Sequence, residues 1–465
     1  MRVRPPVRSP ALPHPAGRVP VLGDFLTLNL RKPTQQAARD AQRLGPIFER
    51  RIFTTPVIVV SGAELIAEIN DDQHWRKHVG AVLEPLRSIV HDGLITARDD
   101  EPNWARAHAV LAPGFSRDAM RRYHPTMTAV ITELLDHWGP DPGLVDITAA
   151  ANRMTLEIIG RAGFGYSFGS LDRTDHRFVT AMTRGLHFIN TAVNVPSIVH
   201  RTVGRRRLAH YRRDIAYVNQ VIDDVIAARG RDGGDGQHDD LLDLMLTTAD
   251  PASGEHLDPV NIRHQCLTML VAGHETSAGT IAFALHELAR NPEVAARARA
   301  ELYEHFPGPG RPAIGFDDAA RLRYLRRIVD ETLRLHPIAP GYFREPIHDT
   351  VIGGQHRFMP GDWVFVLTLA AHRDPDAWGP DAGQFDPDRW LPDRIRQLGN
   401  HIYKPFGTGP RACLGRQFAL HETVLALAHL LHSYDIRAMF GDAIEVHEQV
   451  TLKPRGLRLR LTNRR

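Results

Sequence analysis

The chain has 465 residues, 43% apolar and 24% charged, a composition that buries a large core and excludes disordered and fibrous classes. Fifty-seven Lys and Arg against 54 Asp and Glu leave a formal charge of +3, too balanced for a protein dedicated to nucleic acid or an anionic membrane, so any basic site must be a local patch. Two cysteines, Cys266 and Cys413, cannot build the disulfide framework of a secreted scaffold, and a reducing cytoplasm is the expected compartment.

In chain order, residues 1–22 are Pro-rich and are expected to lie extended on the surface until Pro20-Val-Leu-Gly23, where the folded body begins. Prolines interrupt every apolar run near the N-terminus, so no export signal is expected, and no later run of about 18 apolar residues predicts a membrane anchor. Val57-Ile-Val-Val-Ser61, bounded by Pro56 and Gly62, reads as a strand, and helical spacing dominates for about two hundred residues from Ala63. The Gly/Asp-rich stretch Arg229 to Asp240 reads as a mobile connection between helices. Asp258 as N-cap, Pro259 at the first helical position and the stop Asn291-Pro292 predict one long helix, about 45 Å from end to end. Its apolar centre is broken by one polar cluster, Gly273-His-Glu-Thr276, which a core-crossing helix avoids without a functional reason. Strand signals follow in Thr350-Val-Ile352, Trp363-Val-Phe-Val366 and Gly456 to Leu461, and helix returns after Gly415.

The sharpest chemical signal is Phe406-Gly-Thr-Gly-Pro-Arg-Ala-Cys-Leu-Gly415. Its glycines allow tight turns and close approach to a flat partner, and Cys413 stands before a helix start, where the dipole and free N–H groups favour a metal-binding thiolate. Competing motifs are weaker. Gly165-Tyr-Ser-Phe-Gly169 matches a hydrolase nucleophile elbow but follows a helical run where the elbow needs a strand. His274-Glu275, His286-Glu287 and His421-Glu422 begin like a zinc motif without the second His four residues on.

The cysteine loop resembles that of the cytochrome P450 superfamily, Phe-x-x-Gly-x-Arg-x-Cys-x-Gly, at every fixed position. The resemblance runs from about Pro20 to the C-terminus. It is nearest the haem domains of bacterial self-sufficient fatty-acid hydroxylases, through Asp92-Gly-Leu94, Ala112-Pro-Gly-Phe-Ser116 and Lys404-Pro-Phe-Gly407. It implies a mainly α fold with a small β subdomain, residues 23–465 forming one monooxygenase domain with haem b between the long helix and the cysteine loop. Cys413 would then be the axial iron ligand, Phe406 its shield, and Arg411, Trp104, His108 and Arg344 partners of the haem propionates. Glu331, Arg334 and Arg389 resemble the family's structural ion network. Ala272-Gly-His-Glu-Thr276 resembles its oxygen-activation motif, with Thr276 and Glu275 catalytic: the hydroxyl bonds toward the preceding turn beside a groove for O2, and the carboxylate feeds protons inward. His274 reads as a hydrogen-bonded side chain and Cys266 as packing.

The implied activity is hydroxylation or epoxidation of a hydrophobic small molecule, such as a natural-product intermediate, terpenoid or lipid. Its pocket would be lined by Ile95, Ala272, Ile338, Ala339, Tyr342, Val450 and Thr451. Where the fatty-acid enzymes carry an Arg and a Tyr for the carboxylate, this sequence has Thr55 and Val59, so that anchor is missing. The sequence stops at Arg465, leaving no room for a fused flavin reductase, so electrons are expected from NAD(P)H through a separate ferredoxin or flavodoxin and its reductase. Lys404, Arg416 and Arg106 are the candidate docking patch. A peroxide-driven peroxygenase, a haem sensor or carrier, and a hydrolase using Ser167 are the alternatives.

Overall fold

Local signals place the helices of this protein, and partners far along the chain place most of its strands. The computed structural model describes residues 11–171, 177–192, 205–231, 239–308, 310–399, 401–439 and 444–464. The chain divides into two compact units, Met1–Gly80 with Asp330–Cys413, and Ala81–Val329 with Leu414–Arg465.

The first unit is built on a five-stranded sheet in the order Ile47–Ile52, Thr55–Val60, Val364–Val366, Tyr342–Pro346, Trp75–His78. Only the pairing of Thr55–Val60 with Val364–Val366 is parallel. Ile47, Val60, Ile66, Ile69, Trp75, Val364 and Val366 form its core. Thr350–Ile352 pairs with His356–Phe358 as a separate hairpin. Of the segment expected to be extended, residues 1–10 lie outside the described residues. The remainder is tied down: Glu49 N–H donates to the Pro13 carbonyl at 2.9 Å, and Val19 and Gly23 close a turn.

Helices make most of the second unit. The long helix is Pro259–Arg290, and both sequence signals for its ends act as expected. Asp258 accepts from the N–H groups of Val260 and Asn261 at 2.9 and 3.0 Å, and the Asn291 side chain donates back to the Glu287 carbonyl. It packs most extensively against Ile147–Phe164, and also against Arg416–Ser433, which follows the cysteine loop. Gly143–Asp146, Arg458–Asn463 and Tyr434–Ala438 form a three-stranded sheet, and Glu445–Glu448 pairs with Leu452–Arg455 as a hairpin.

One expectation is corrected. Arg229 does not begin a loop: it lies in the last turn of the helix Arg205–Arg231, buried, with its guanidinium on Asp240, Asp243 and the Phe164 carbonyl. Asp240, at the end of the stretch read as a loop, and Asp243, on the helix Leu241–Thr247 that follows, are the partners that bury it. The intervening residues 232–238 lie outside those described.

Candidate functional site

The cysteine loop is shaped by its own backbone. Cys413 N–H donates to the Phe406 carbonyl at 2.8 Å, Ala412 N–H to Gly409, and Gly407 N–H to Lys404. Gly407 and Gly409 have φ of 70° and 65°, the left-handed region that favours glycine. At Gly409 a Cβ would also lie 2.1 Å from the Asp72 carboxylate, so a side chain there would have to displace that carboxylate. Asp72 is in turn held by Arg344 Nη2 at 2.8 Å. Arg344 is buried, and also donates to the Ile69 and Trp75 carbonyls. This buried arginine therefore braces the strand edge beside the loop through Nε and Nη2.

Behind the loop lies a hydrogen-bond lattice centred on Arg334, which is fully buried with Glu331. All five guanidinium donors of Arg334 are used: Nε and one Nη2 proton on Glu331 at 2.8 and 2.7 Å, the others on the carbonyls of His372, Ala382 and Gln384. Arg389 Nε stands 3.4 Å from the same Glu331 carboxylate, and its Nη groups hold the Trp378 and Asp381 carbonyls. His372 links this lattice to the loop by accepting the Lys404 N–H on Nε2 at 3.0 Å. Its burial and the nearby Arg334 charge push its pKa down to about 3, so the ring stays neutral and keeps that acceptor.

The two cysteines differ in the way that matters for a metal. Cys266 is buried, and burial pushes its thiol far above the ordinary range; Cys413 is exposed, on a rigid loop ahead of the helix Arg416–Ser433. An exposed thiol fixed by its backbone fits the axial position of a thiolate-ligated haem.

In the second unit, the polar cluster turns onto backbone. Thr276 Oγ1 donates to the Ala272 carbonyl at 2.7 Å, and Thr155, from Ile147–Phe164, donates to the His274 carbonyl at 2.8 Å. The helix runs uninterrupted past Gly273, so its weak point is expressed as carbonyls that take hydroxyl donors and not as a break. The His274 ring is buried against its own helix through Nδ1 to the Leu270 carbonyl, and burial lowers its pKa. Glu275 pairs with Lys453 Nζ at 2.7 Å, both side chains mostly buried.

Lys453 stands on the hairpin whose turn carries Val450 and Thr451, where Gln449 N–H donates to the Thr451 carbonyl. The buried Thr451 hydroxyl has no hydrogen-bond partner among the described residues. Ile95 is positioned by its neighbours: Leu94 N–H donates to Gln265 Oε1 at 3.0 Å, and a Cβ on Gly93 would lie 1.9 Å from Thr268 Oγ1. Asp92 anchors the same loop through Asn103, Asn261 and His264. Trp104 and His108 share one helix, Pro102–Leu111, with ring centroids 5.3 Å apart. Arg106 on that helix is ion-paired with Glu255.

Thus Ile95, Ala272, Val450, Thr451, Trp104, His108, Glu275 and Thr276 belong to the second unit. Ile338, Ala339, Tyr342, Arg344, Phe406, Arg411 and Cys413 belong to the first. Ile338 is buried and Ala339 exposed. Tyr342 donates to Asn70, and burial lifts its phenol to about 12. The sequence reading missed Asp72, His372, Lys453 and Glu422. Glu422 has neither carboxylate oxygen in a hydrogen bond of normal geometry, and burial pushes its pKa up to about 8, softened only by the nearby Ser277 hydroxyl. A lone acid just ahead of the apolar run Val424 to Ala428 was the available signal. Ser167 donates to Glu157, a buried carboxylate also bonded to Ser170, and Gly165 caps a helix: this motif is a helix-end staple.

A thiolate loop backed by a buried arginine lattice, with a long helix bearing a Glu-Thr pair, defines a mainly α haem-thiolate class of fold. The model of the family described as Cytochrome P450 matches residues 13–461, and the chain belongs to that family. It is 37% identical over 98% of its length to a bifunctional cytochrome P450/NADPH–P450 reductase of Bacillus cereus, covering 42% of that protein. It is 36% identical over 98% of its length to one of Bacillus subtilis, again covering 42%. The chain therefore spans less than half the length of these curated relatives. A crystal structure of a cytochrome P450, CYP102L1, superposes with a TM-score of 0.91 at 47% identity, covering 98% of this chain and 99% of that one.

Proposed function

We propose that residues 23–465 act as one haem module of a monooxygenase that inserts one atom of O2 into a neutral hydrophobic small molecule by hydroxylation or epoxidation. The observation that carries this reading is the exposed Cys413 thiol on its fully matched, hydrogen-bonded loop. Haem b, when bound, supplies O2 activation and the oxidising power. Cys413 would be its ligand, Phe406 would cover the sulfur, and Arg411, Trp104 and His108 would hold its carboxylates. Thr276 would present its hydroxyl as a hydrogen-bond donor toward bound O2 by releasing the Ala272 carbonyl, and Glu275 would carry protons inward from the Lys453 side. Two electrons would come from NAD(P)H through a flavodoxin- or ferredoxin-type donor.

Ile95, Ala272, Ile338, Ala339, Tyr342, Val450 and Thr451 would line the substrate side, with the Thr451 hydroxyl offering one polar contact. A neutral substrate is favoured because Val59 is buried in the sheet and Thr55 carries no charge, so neither position offers a carboxylate anchor.

The test is the absorption spectrum of the dithionite-reduced, CO-bound protein beside Cys413→Ser. A strongly red-shifted Soret band lost in the variant supports thiolate ligation; a chain that binds no haem, or a band unmoved by the substitution, refutes it. Thr276→Ala separates a monooxygenase from a haem carrier, because only the former loses product per electron at unchanged haem content. A long-chain alcohol that shifts the spin state at lower concentration than the fatty acid of equal length supports the neutral substrate. The reverse order refutes it.

A further inference from the structure

The loop that carries Ile95 begins at a strained residue. His91 closes the short helix Arg87–Val90 with φ 44° and ψ −111°, a backbone that glycine adopts freely and other residues rarely. It is one of four non-glycine residues with a positive φ among the described residues. Backbone of this kind persists where its surroundings over-determine it, and three contacts do so here. The His91 N–H donates to the Arg87 carbonyl at 2.9 Å, and the His91 carbonyl accepts from Thr96 Oγ1 at 2.7 Å. The His91 ring stacks on that of His264 in the long helix, with centroids 4.5 Å apart and planes 23° from parallel. A glycine would make the same turn without strain, so the stack is what the side chain adds.

His264 ties that stack to the loop. Its Nδ1 stands 2.5 Å from Asp92 Oδ1, while Asp92 Oδ2 accepts from the Asn103 and Asn261 amides at 2.7 and 3.1 Å. Arg87 Nη1 donates to the Thr96 carbonyl at 2.7 Å, so residues 92–96 are pinned at both ends. Among these contacts the two imidazoles alone change charge near neutral pH. They face Asp92 on the loop, Arg87 on the short helix, itself paired with Glu101, and Arg263 on the long helix, itself paired with Asp223. Burial raises the Asp92 pKa less than its hydrogen bonds with Asn103 and His264 lower it, so that carboxylate stays charged. Burial, and then the neighbouring His264, lower the His91 pKa from 6.5, so the stack gives stability above that pH that is lost as pH falls below it. With both rings protonated, two cations stand 4.5 Å apart beside two arginines, and exposed His91 is the one free to leave. We infer that His91, stacked on His264, is a proton-sensitive clamp that positions the Gly93–Ile95 loop and thereby sets how tightly a hydrophobic substrate is held against Ile95. Both histidines are positioning residues that act through the loop. The link to substrate rests on the proposed placement of Ile95, and the clamp itself needs no haem.

Amide hydrogen exchange of residues 92–97 in the whole chain tests the clamp, read at about pH 7.5 and 5.5 and corrected for the intrinsic pH dependence of exchange. Protection should fall about fivefold or more at the lower pH, the effect of two unit charges at this separation even in water. His91→Phe keeps a ring that cannot charge, and its loop should stay protected at both pH values. His91→Asn accepts the backbone without a ring, so its loop should be weakly protected at both, with the thermal midpoint held. On the haem-loaded chain, the spin-state shift produced by a long-chain alcohol should follow the loop. Its affinity should be about fivefold weaker at the lower pH in the wild type and unchanged in His91→Phe. Equal protection at both pH values in the wild type overturns the inference, as does the same pH dependence in His91→Phe. A loop that opens without weakening the alcohol overturns the link to substrate and leaves the thiolate assignment standing, since that is read from the CO spectrum. A chain with no red-shifted band refutes the haem reading alone, and hydrogen exchange still decides the clamp.

Discussion

The lattice behind Cys413 and the polar cluster on the long helix treat their hydrogen bonds in opposite ways. Every guanidinium donor of Arg334 has an acceptor, Glu331 accepts from three residues besides Arg389, and His372 is held neutral so that it keeps the Lys404 N–H. Around Thr276 the bonds are exchangeable: a hydroxyl on a carbonyl that already serves the helix, a carboxylate on a lysine from a hairpin, and Glu422 buried with unsatisfied oxygens nearby along the adjoining helix. A site that must hold a ligand at one position gains from saturation, and a site that must pass protons needs bonds that can be exchanged.

The largest test of that contrast is Arg334→Ala. It leaves Glu331 charged and buried and exposes three carbonyls to a void, at a cost of about 3–5 kcal/mol for the broken pair alone. The expected outcome is a chain that does not accumulate folded. Arg334→Lys should rescue little, since an ammonium cannot reach five acceptors. Arg394→Ala, which removes an exposed pair with Asp386, should change the denaturation midpoint hardly at all. If Arg334→Ala unfolds no more easily than Arg394→Ala, saturation is not what fixes the loop.

Glu422 gives the next effect. Its pKa in the folded chain, pushed to about 8 by burial, lies above the ordinary value of 4.5, so the folded state keeps a proton that the unfolded state loses between those values. Its contribution to stability is therefore present below about pH 4.5 and is lost as pH rises toward 8. Relative to Glu422→Gln, the wild-type chain should lose roughly 2–3 kcal/mol between pH 6 and 8 in chemical denaturation. Parallel curves would mean that the carboxylate is satisfied when charged. His429, which is buried, and the partly buried His421, each lowered to about 4 by desolvation, act at the other end. Neutral when folded, they give stability that is lost as pH falls from about 6.5 toward 4.

Features signalled by neighbouring residues were legible in the sequence. Asp258, Pro259 and Asn291-Pro292 bound the long helix because capping is local, and the cysteine loop was readable because its turns demand glycine at fixed places. Ile47–Ile52 was missed because its polar Arg50 is buried against Asp40 and Gln36 of the preceding helix, and Trp75–His78 because its partner, Tyr342–Pro346, lies more than 260 residues away. The same reason hid the helpers of the site. Asp72 matters through Arg344 and Gly409, and His372 through Lys404, and no spacing rule joins those positions.

Lys453 is one of only four lysines in the chain, and its removal should give the smallest change in stability with a visible change in chemistry. A single partly buried ion pair of this kind contributes about 1 kcal/mol or less, so Lys453→Met should barely move the thermal midpoint. Glu275 is parked on Lys453 while Thr276 is parked on the Ala272 carbonyl, and neither side chain is bonded to the other. Untethering the carboxylate should shorten the wait for a proton, giving turnover a few-fold faster with a smaller solvent isotope effect at unchanged KM. Glu275→Gln should slow turnover and enlarge that isotope effect, with the same small change in midpoint. Equal rates and equal isotope effects in wild type and Lys453→Met would reduce the pair to a contact that only fastens the hairpin, and the exchangeable bonds of this helix would then rest on Thr276 alone.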